Sequence, residues 1–213
     1  VIQRGRLACG GVSELRGNGQ LINRKVLESC GGFNEQTITD DLDLSFRFLL
    51  NRSPIVIMWD PPIEEEAVES LSALFRQRKR WAEGGLQRFF DYGDQLFTNE
   101  IDHLQKFDLT YFFILQYALS IICMLDLILS IALVESPIYW PISLSAFTLS
   151  AFALWYGCSY KSEGPVSPHN KLLMIFVTVF YLSHWFLVIP WVTLKMSIFP
   201  KKILWKKTLH TGV

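Results

Sequence analysis

The sequence predicts an α/β segment followed by membrane-associated α-helices, and three observations carry that prediction. Charge is divided along the chain: residues 1 to 107 hold 13 Lys/Arg and 16 Asp/Glu, whereas residues 108 to 213 hold 7 and 4. The first part combines helix-type apolar stripes with one short β-branched run. The second part contains three apolar segments near or above the ~20 residues that a bilayer-spanning helix needs. The domains expected are therefore residues 1–107, a polar α/β piece, and residues 108–213, a membrane region with about three apolar helices and a basic tail. A chain that is 50% hydrophobic and 14% aromatic, with 20 basic and 20 acidic residues, fits neither a disordered protein nor a polybasic nucleic-acid binder, so no nucleic-acid partner is expected. Cys9, Cys30, Cys123 and Cys158 form no Cys-x-x-Cys pair and lie at no metal spacing from a His, which argues against zinc and a disulfide framework. The start, Val1-Ile2-Gln3-Arg4, has no initiator Met and no signal pattern, so the chain reads as the C-terminal part of something longer.

The elements follow in order. Gly10, Gly11, Gly17, Gly19, Gly31 and Gly32 surround a helix-like stretch from Leu21 to Cys30 and mark turns on either side. Leu42, Phe46, Leu49 and Leu50 form an i, i+4, i+7, i+8 stripe behind Thr39, a candidate N-cap, so a helix begins with Asp40 and Asp41 at its mouth. Pro54-Ile55-Val56-Ile57-Met58-Trp59, closed by Asp60-Pro61-Pro62, predicts one buried strand. Ala67 to Phe90 has helical spacing and is interrupted by Gly84-Gly85.

The apolar segments run from Leu109 to Val134, Ile138 to Tyr156 and Leu172 to Leu194, with Trp140, Tyr156, Tyr160, Trp191 and Trp205 toward their ends, as interfacial aromatics are placed. Asp126 lies deep in the first. It lines a polar path, faces another helix, or marks a break into two shorter interfacial pieces. Three full spans would put Lys201, Lys202, Lys206 and Lys207 on the opposite side from residues 1–107, against the positive-inside rule for a cytoplasmic domain. One segment is therefore expected to lie in the interface or re-enter, Leu109 to Val134 being the least secure span, which leaves both the domain and the basic tail on the cytoplasmic face.

The strongest motif is a combination: Thr39-Asp40-Asp41, followed 36 residues after Asp41 by Gln77-Arg78-Lys79-Arg80-Trp81, then membrane segments. This order resembles glycosyltransferase family 2, in its membrane-attached branch of cellulose, chitin and hyaluronan synthases. The longer text, Arg16-Gly17-Asn18-Gly19-Gln20, Gly31-Gly32-Phe33-Asn34-Glu35, Thr37 to Leu44, Glu64-Glu65-Glu66 and Gln77 to Arg88, resembles the cyanobacterial monoglucosyldiacylglycerol synthase family within it. It departs from that pattern at Asn23-Arg24, where relatives carry two adjacent basic residues.

The resemblance implies the C-terminal part of a GT-A, Rossmann-like domain, a UDP-sugar donor, a diacylglycerol or other lipid acceptor, the bilayer as a partner, and Mg2+ or Mn2+. The metal's Asp-x-Asp motif would precede Val1, so no metal ligand is assigned within these residues. Inverting transfer needs a carboxylate beside the acceptor hydroxyl. By resemblance that base is Asp41; Asp40 takes a place usually held by Glu and raises the pKa of its neighbour by like-charge repulsion, opposed by the helix N-terminus. Gln77 and Arg80 match the diphosphate-contacting positions, and a planar guanidinium suits phosphate. Trp81 matches the acceptor-site aromatic, and Gly17, Asn18 and Gly19 border the acceptor.

Each signal has an ordinary counterpart. Two Asp at a helix mouth serve the dipole, a run such as Arg76 to Arg80 is a solvated or lipid-phosphate-facing surface, and Gly-Asn-Gly is a turn. Glu64-Glu65-Glu66 is assigned no role, and His103, His169, His184 and His210 form no cluster. The reading is a membrane-bound enzyme, inactive as these residues alone, moving glucose from UDP-glucose to diacylglycerol. Its rivals are a processive polysaccharide synthase and a non-catalytic membrane scaffold of the same fold.

Overall fold

The computed structural model describes residues 2–58, 61, 63–66, 68–98, 101–159 and 166–199. Their order is α1 (Ile2–Ala8), α2 (Arg24–Ser29), α3 (Asp40–Leu50), α4 (Leu71–Leu96), α5 (His103–Phe113), a π-helical turn (Ile114–Ala118), α6 (Leu119–Leu133), α7 (Trp140–Gly157) and α8 (Pro168–Ile198). These residues fall into two compact units, one containing the described residues of Val1–Tyr117 and Trp191–Val213, the other Ala118–Pro190.

The first unit is built on α3 and α4. Val12, Phe46, Leu96, Ile101 and Leu109 form its core, with Leu49, Leu50, Phe89 and Tyr92 packed around them. Phe46 meets the edge of Phe89 at 5.2 Å and 88°, the T-shaped geometry that aromatic quadrupoles prefer. An ion pair ties α1 to α5 at this core. Arg6 of α1 donates from Nε and Nη2 to the Asp108 carboxylate of α5 at 2.7 to 3.0 Å, and Asp108 also accepts the Val12 N–H at 2.8 Å.

Several sequence expectations are corrected here. Among the described residues there is no strand: residues 54–58 are extended, and Val56 and Met58 point outward at 79% and 73% exposure. Their alternation is that of a strand, but no neighbouring chain completes a ladder, and a strand is defined by its partner. Trp59 and Asp60 lie outside the described residues. The helix expected from Leu21 to Cys30 is shorter, because Asn23 accepts the Lys25 N–H at 2.9 Å and so caps α2. Gly31 and Gly32, at φ +84° and +75°, end it by returning their N–H groups to Glu28 and Leu27.

Gly84-Gly85 does not interrupt its helix. α4 runs through it for 26 residues from a Ser70 N-cap that accepts the Ala73 N–H. A Cβ at Gly84 would collide with the Thr39 side chain, and one at Gly85 with the Tyr117 hydroxyl. The pair therefore marks the closest approach of α4 to its neighbours. Lys195 donates to Glu83 at 2.9 Å and the Lys79 ammonium lies 5.9 Å from the Trp191 ring centre, bracing α4 against the end of α8.

The apolar segments also differ from expectation. Leu109–Val134 belongs to a 31-residue helical stretch, His103–Leu133, which with Pro168–Ile198 is long and apolar enough to cross a membrane. α7, whose 18 residues include Ser143, Ser145, Thr148 and Ser150, is not among them. Within the second unit Asp126 accepts the N–H groups of Ile138 and Tyr139 at 3.1 and 2.9 Å. It thus stitches α6 to the start of α7, satisfying backbone donors that an apolar surrounding would leave unpaired. Tyr160, Trp205 and the lysines at 201, 202, 206 and 207 lie outside the described residues.

Candidate active site

The site forms where three stretches of the first unit meet: the mouth of α3, the loop from Val12 to Gln20, and one face of α4. Thr39 occupies the N-cap position of α3 and is buried, yet its hydroxyl makes no cap hydrogen bond. Contact with Gly84 takes that side chain instead, which corrects the expectation of a side-chain cap. Asp40 is exposed and Asp41 half-buried.

Burial is the main cause that raises the Asp41 pKa above the ordinary carboxylate value of 3.8. The Leu42 N–H opposes it, Asp40 adds to it by like charge, and the Arg88 guanidinium lowers it. Like-charge repulsion from Asp40 therefore acts in the expected direction, but removal from water, which the sequence does not reveal, outweighs it. A carboxylate shifted in this direction is a stronger base when ionised.

Gly17 stands beside this group: a Cβ there would lie 3.8 Å from Asp41 Oδ2. The loop is held in that place by two bonds in series, Leu15 N–H to Ser45 Oγ at 2.8 Å and Ser45 Oγ–H to the Asp41 carbonyl at 2.6 Å. Gly17, Asn18 and Gly19 are exposed. Gly19 has φ +66° and packs on Ile63, an arrangement that only glycine accommodates without strain.

On α4, Gln77, Trp81, Gly84 and Arg88 recur at i, i+4, i+7 and i+11 and so share one face, with Arg80 at its edge, four residues before Gly84. Because Gly84 touches Thr39, Trp81 lies about one turn, ~5 Å of helix axis, before that contact with the α3 mouth, and Gln77 about two turns, ~10 Å. Among the described residues neither Gln77 nor Arg80 has a hydrogen-bond or ion-pair partner. Trp81 is 39% exposed, and the Arg78 guanidinium stacks 4.1 Å from its ring centre.

The structure thus brings Gly17 beside Asp41 and sets Gly84 of α4 against the α3 mouth, with Trp81 and Arg80 about one turn and Gln77 about two turns farther along that helix. Three buried charged residues around them were missed. Arg88 pairs with Glu14 at 2.6 Å, and Asp43 accepts from Tyr92 Oη at 2.7 Å, Arg47 Nε at 2.8 Å and Asn34 Nδ2 at 3.1 Å. Arg47 in turn donates to the carbonyls of Cys30 and Gly32, which fixes the Gly31-Gly32 turn. Signals for two of them were present: Arg88 falls on the stripe of Trp81 and Gly84, and Asp43-Arg47 is an i, i+4 pair. Among the described residues no group of three or more His, Cys, Asp or Glu side chains comes together to hold a metal ion. Asp40 and Asp41 alone do not make such a site, and the residues here do not fit one.

The glycosyl transferase family group 2 model matches residues 2–200. The chain belongs to that family. A β-monoglucosyldiacylglycerol synthase of Trichormus variabilis is 38% identical over 214 residues, covering 99% of this chain and 46% of the relative. The enzyme of the same name from Synechocystis is 39% identical over 98% of this chain and 44% of its own length, and a probable glycosyltransferase of Bacillus subtilis, YdaM, is 23% identical over 98% and 51%. The chain spans about half the length of the curated relatives it matches. No solved structure matches it. Family group 2 membership implies a GT-A fold, whose strands are not seen among the described residues.

Proposed function

We propose that this chain is the acceptor-side and membrane-proximal part of a membrane-bound inverting glycosyltransferase that moves glucose from UDP-glucose to 1,2-diacylglycerol. Residues 1–107 belong on this reading to the catalytic domain and residues 108–213 to the membrane region, with the site at the cytoplasmic face. The observation that carries the proposal is Asp41, half-buried and with its pKa raised, beside the Gly17 loop, at a helix mouth packed against the α4 face that carries Arg80 and Trp81 about one turn and Gln77 about two turns from the contact. The names of the Trichormus and Synechocystis relatives support a glucosylated lipid product.

In this mechanism Asp41 takes the proton of the acceptor hydroxyl as its oxygen bonds to the anomeric carbon of the sugar. The bond from that carbon to the diphosphate breaks on the opposite side, and UDP leaves with the electron pair. Gln77 and Arg80 hold the diphosphate, where charge develops. Trp81 and the Gly17, Asn18 and Gly19 loop orient the acceptor. Mg2+ or Mn2+ would be bound by carboxylates outside this chain, and no step described here runs through it. An acceptor insoluble in water explains the tie to a bilayer, which the exposed apolar faces of the two long helices favour.

The test is transfer from radiolabelled UDP-glucose by membranes containing the full-length protein, with and without added diacylglycerol. A single chloroform-soluble product that grows with diacylglycerol is expected. Label in insoluble polymer would replace this reading with a polysaccharide synthase, and no transfer from any of several UDP-sugars would replace it with a scaffold.

A further inference from the structure

The mechanism above leaves one buried ion pair without a task. Glu14 and Arg88 are 6% and 4% exposed, with charged atoms 2.6 Å apart. Such a pair adds little stability over apolar side chains of equal volume, because desolvating both ions offsets their attraction. What it supplies is position. Glu14 also faces Arg6 at 3.7 Å, so α1 and α4 both grip the start of the loop. Arg88 has no freedom of its own, lying 4.6 Å and 5.2 Å from the ring centres of Phe46 and Phe89. The residue after Glu14 is the one whose N–H is held by Ser45, and Gly17, beside the Asp41 carboxylate, follows two residues later.

We propose that Glu14 and Arg88 are a positioning pair for the acceptor, setting the gap between the Gly17 loop and the Asp41 carboxylate into which a lipid alcohol presents its hydroxyl. This deepens the proposed function and rests on it. Arg88 has a second effect through space. The groups that face Asp41 are Asp40 and the Leu42 N–H on its own helix and Arg88 from α4, and Arg88 is the cation that favours its ionised form.

The test uses the full-length enzyme and measures kcat, both KM values, the acid limb of kcat/KM and the melting temperature, on whichever acceptor the wild type glucosylates. The double variant Glu14→Leu, Arg88→Met replaces the pair with apolar volume. It is expected to melt near the wild-type temperature, to lose about 10-fold or more in kcat through a misplaced acceptor, to keep its KM for UDP-glucose, and to have its acid limb at higher pH because Asp41 has lost its cation. Glu14→Gln leaves Arg88 unneutralised, so its limb moves the other way, to lower pH. A double variant with wild-type kcat and an unmoved limb overturns the proposal. If the double variant does not fold, Glu14→Gln decides: wild-type kcat with an unmoved limb overturns it equally. Asp41→Asn, assayed alongside, separates the two layers, since retained turnover there removes the base itself rather than its positioning.

Discussion

Gly84 lies against the side chain of Thr39 with no room for a methyl group between them, and this contact sets α4 at the mouth of α3. Ordinarily Gly to Ala in a helix interior stabilises by about 1 kcal/mol. Here the added Cβ would meet Thr39 Cγ2 at 2.5 Å, so Gly84→Ala is expected to lower stability by about 1–3 kcal/mol. It should also reduce turnover by moving Gln77 to Trp81 away from Asp41. Gly93, on the same helix with nothing within 4 Å of a Cβ, is the control. Gly93→Ala should raise the melting temperature, and equal effects at both positions would refute the close-contact account.

Arg80 has no partner among the described residues, so its removal leaves no buried charge behind. Arg80→Ala in the full-length protein should therefore melt like the wild type while weakening UDP binding by about 10-fold or more, the loss of one charge-assisted hydrogen bond. Isothermal calorimetry with UDP checks this, and an unchanged affinity removes Arg80 from the diphosphate site.

Tyr92 is bound to Asp43 at 2.7 Å, and burial followed by that hydrogen bond pushes its pKa from 10.0 up to about 12. The folded state thus keeps a proton that the unfolded chain sheds. The resulting stability is complete below pH 10 and declines between pH 10 and 12. Tyr92→Phe should cost about 1–3 kcal/mol at neutral pH and show a shallower decline in alkali. Urea midpoints measured from pH 8 to 11.5 would reveal a parallel fall in both proteins if the bond were unimportant.

How much of this was legible before the structure depends on range. Asp40-Asp41 at a helix mouth and Gln77-Arg80-Trp81 on a helix are local patterns, and both elements form where the spacing places them. The glycine pair was misread for a physical reason: intrinsic propensity says break, whereas contact with Thr39 and Tyr117 demands that absence of side chain within an unbroken helix. The strand at 54–58 has the alternation of a strand but no ladder, because pairing is a property of two segments and the sequence displays one. Gly17 beside Asp41, Glu14 on Arg88 and Asp126 on the Ile138 and Tyr139 amides are contacts between distant residues. No periodicity within one segment encodes them.

The central claim is that Asp41 is the base on the acceptor side, and it is tested most directly by Asp41→Asn in the full-length enzyme, with turnover and UDP affinity measured on the same preparation. Because burial raises the pKa of Asp41, its ionisation costs the fold stability as pH rises above the ordinary carboxylate range. The neutral amide should be at least as stable as the wild type at pH 7. The account predicts turnover reduced by about 10²-fold or more, UDP affinity unchanged and a melting temperature equal or higher. Near-normal turnover in that well-folded variant would contradict it.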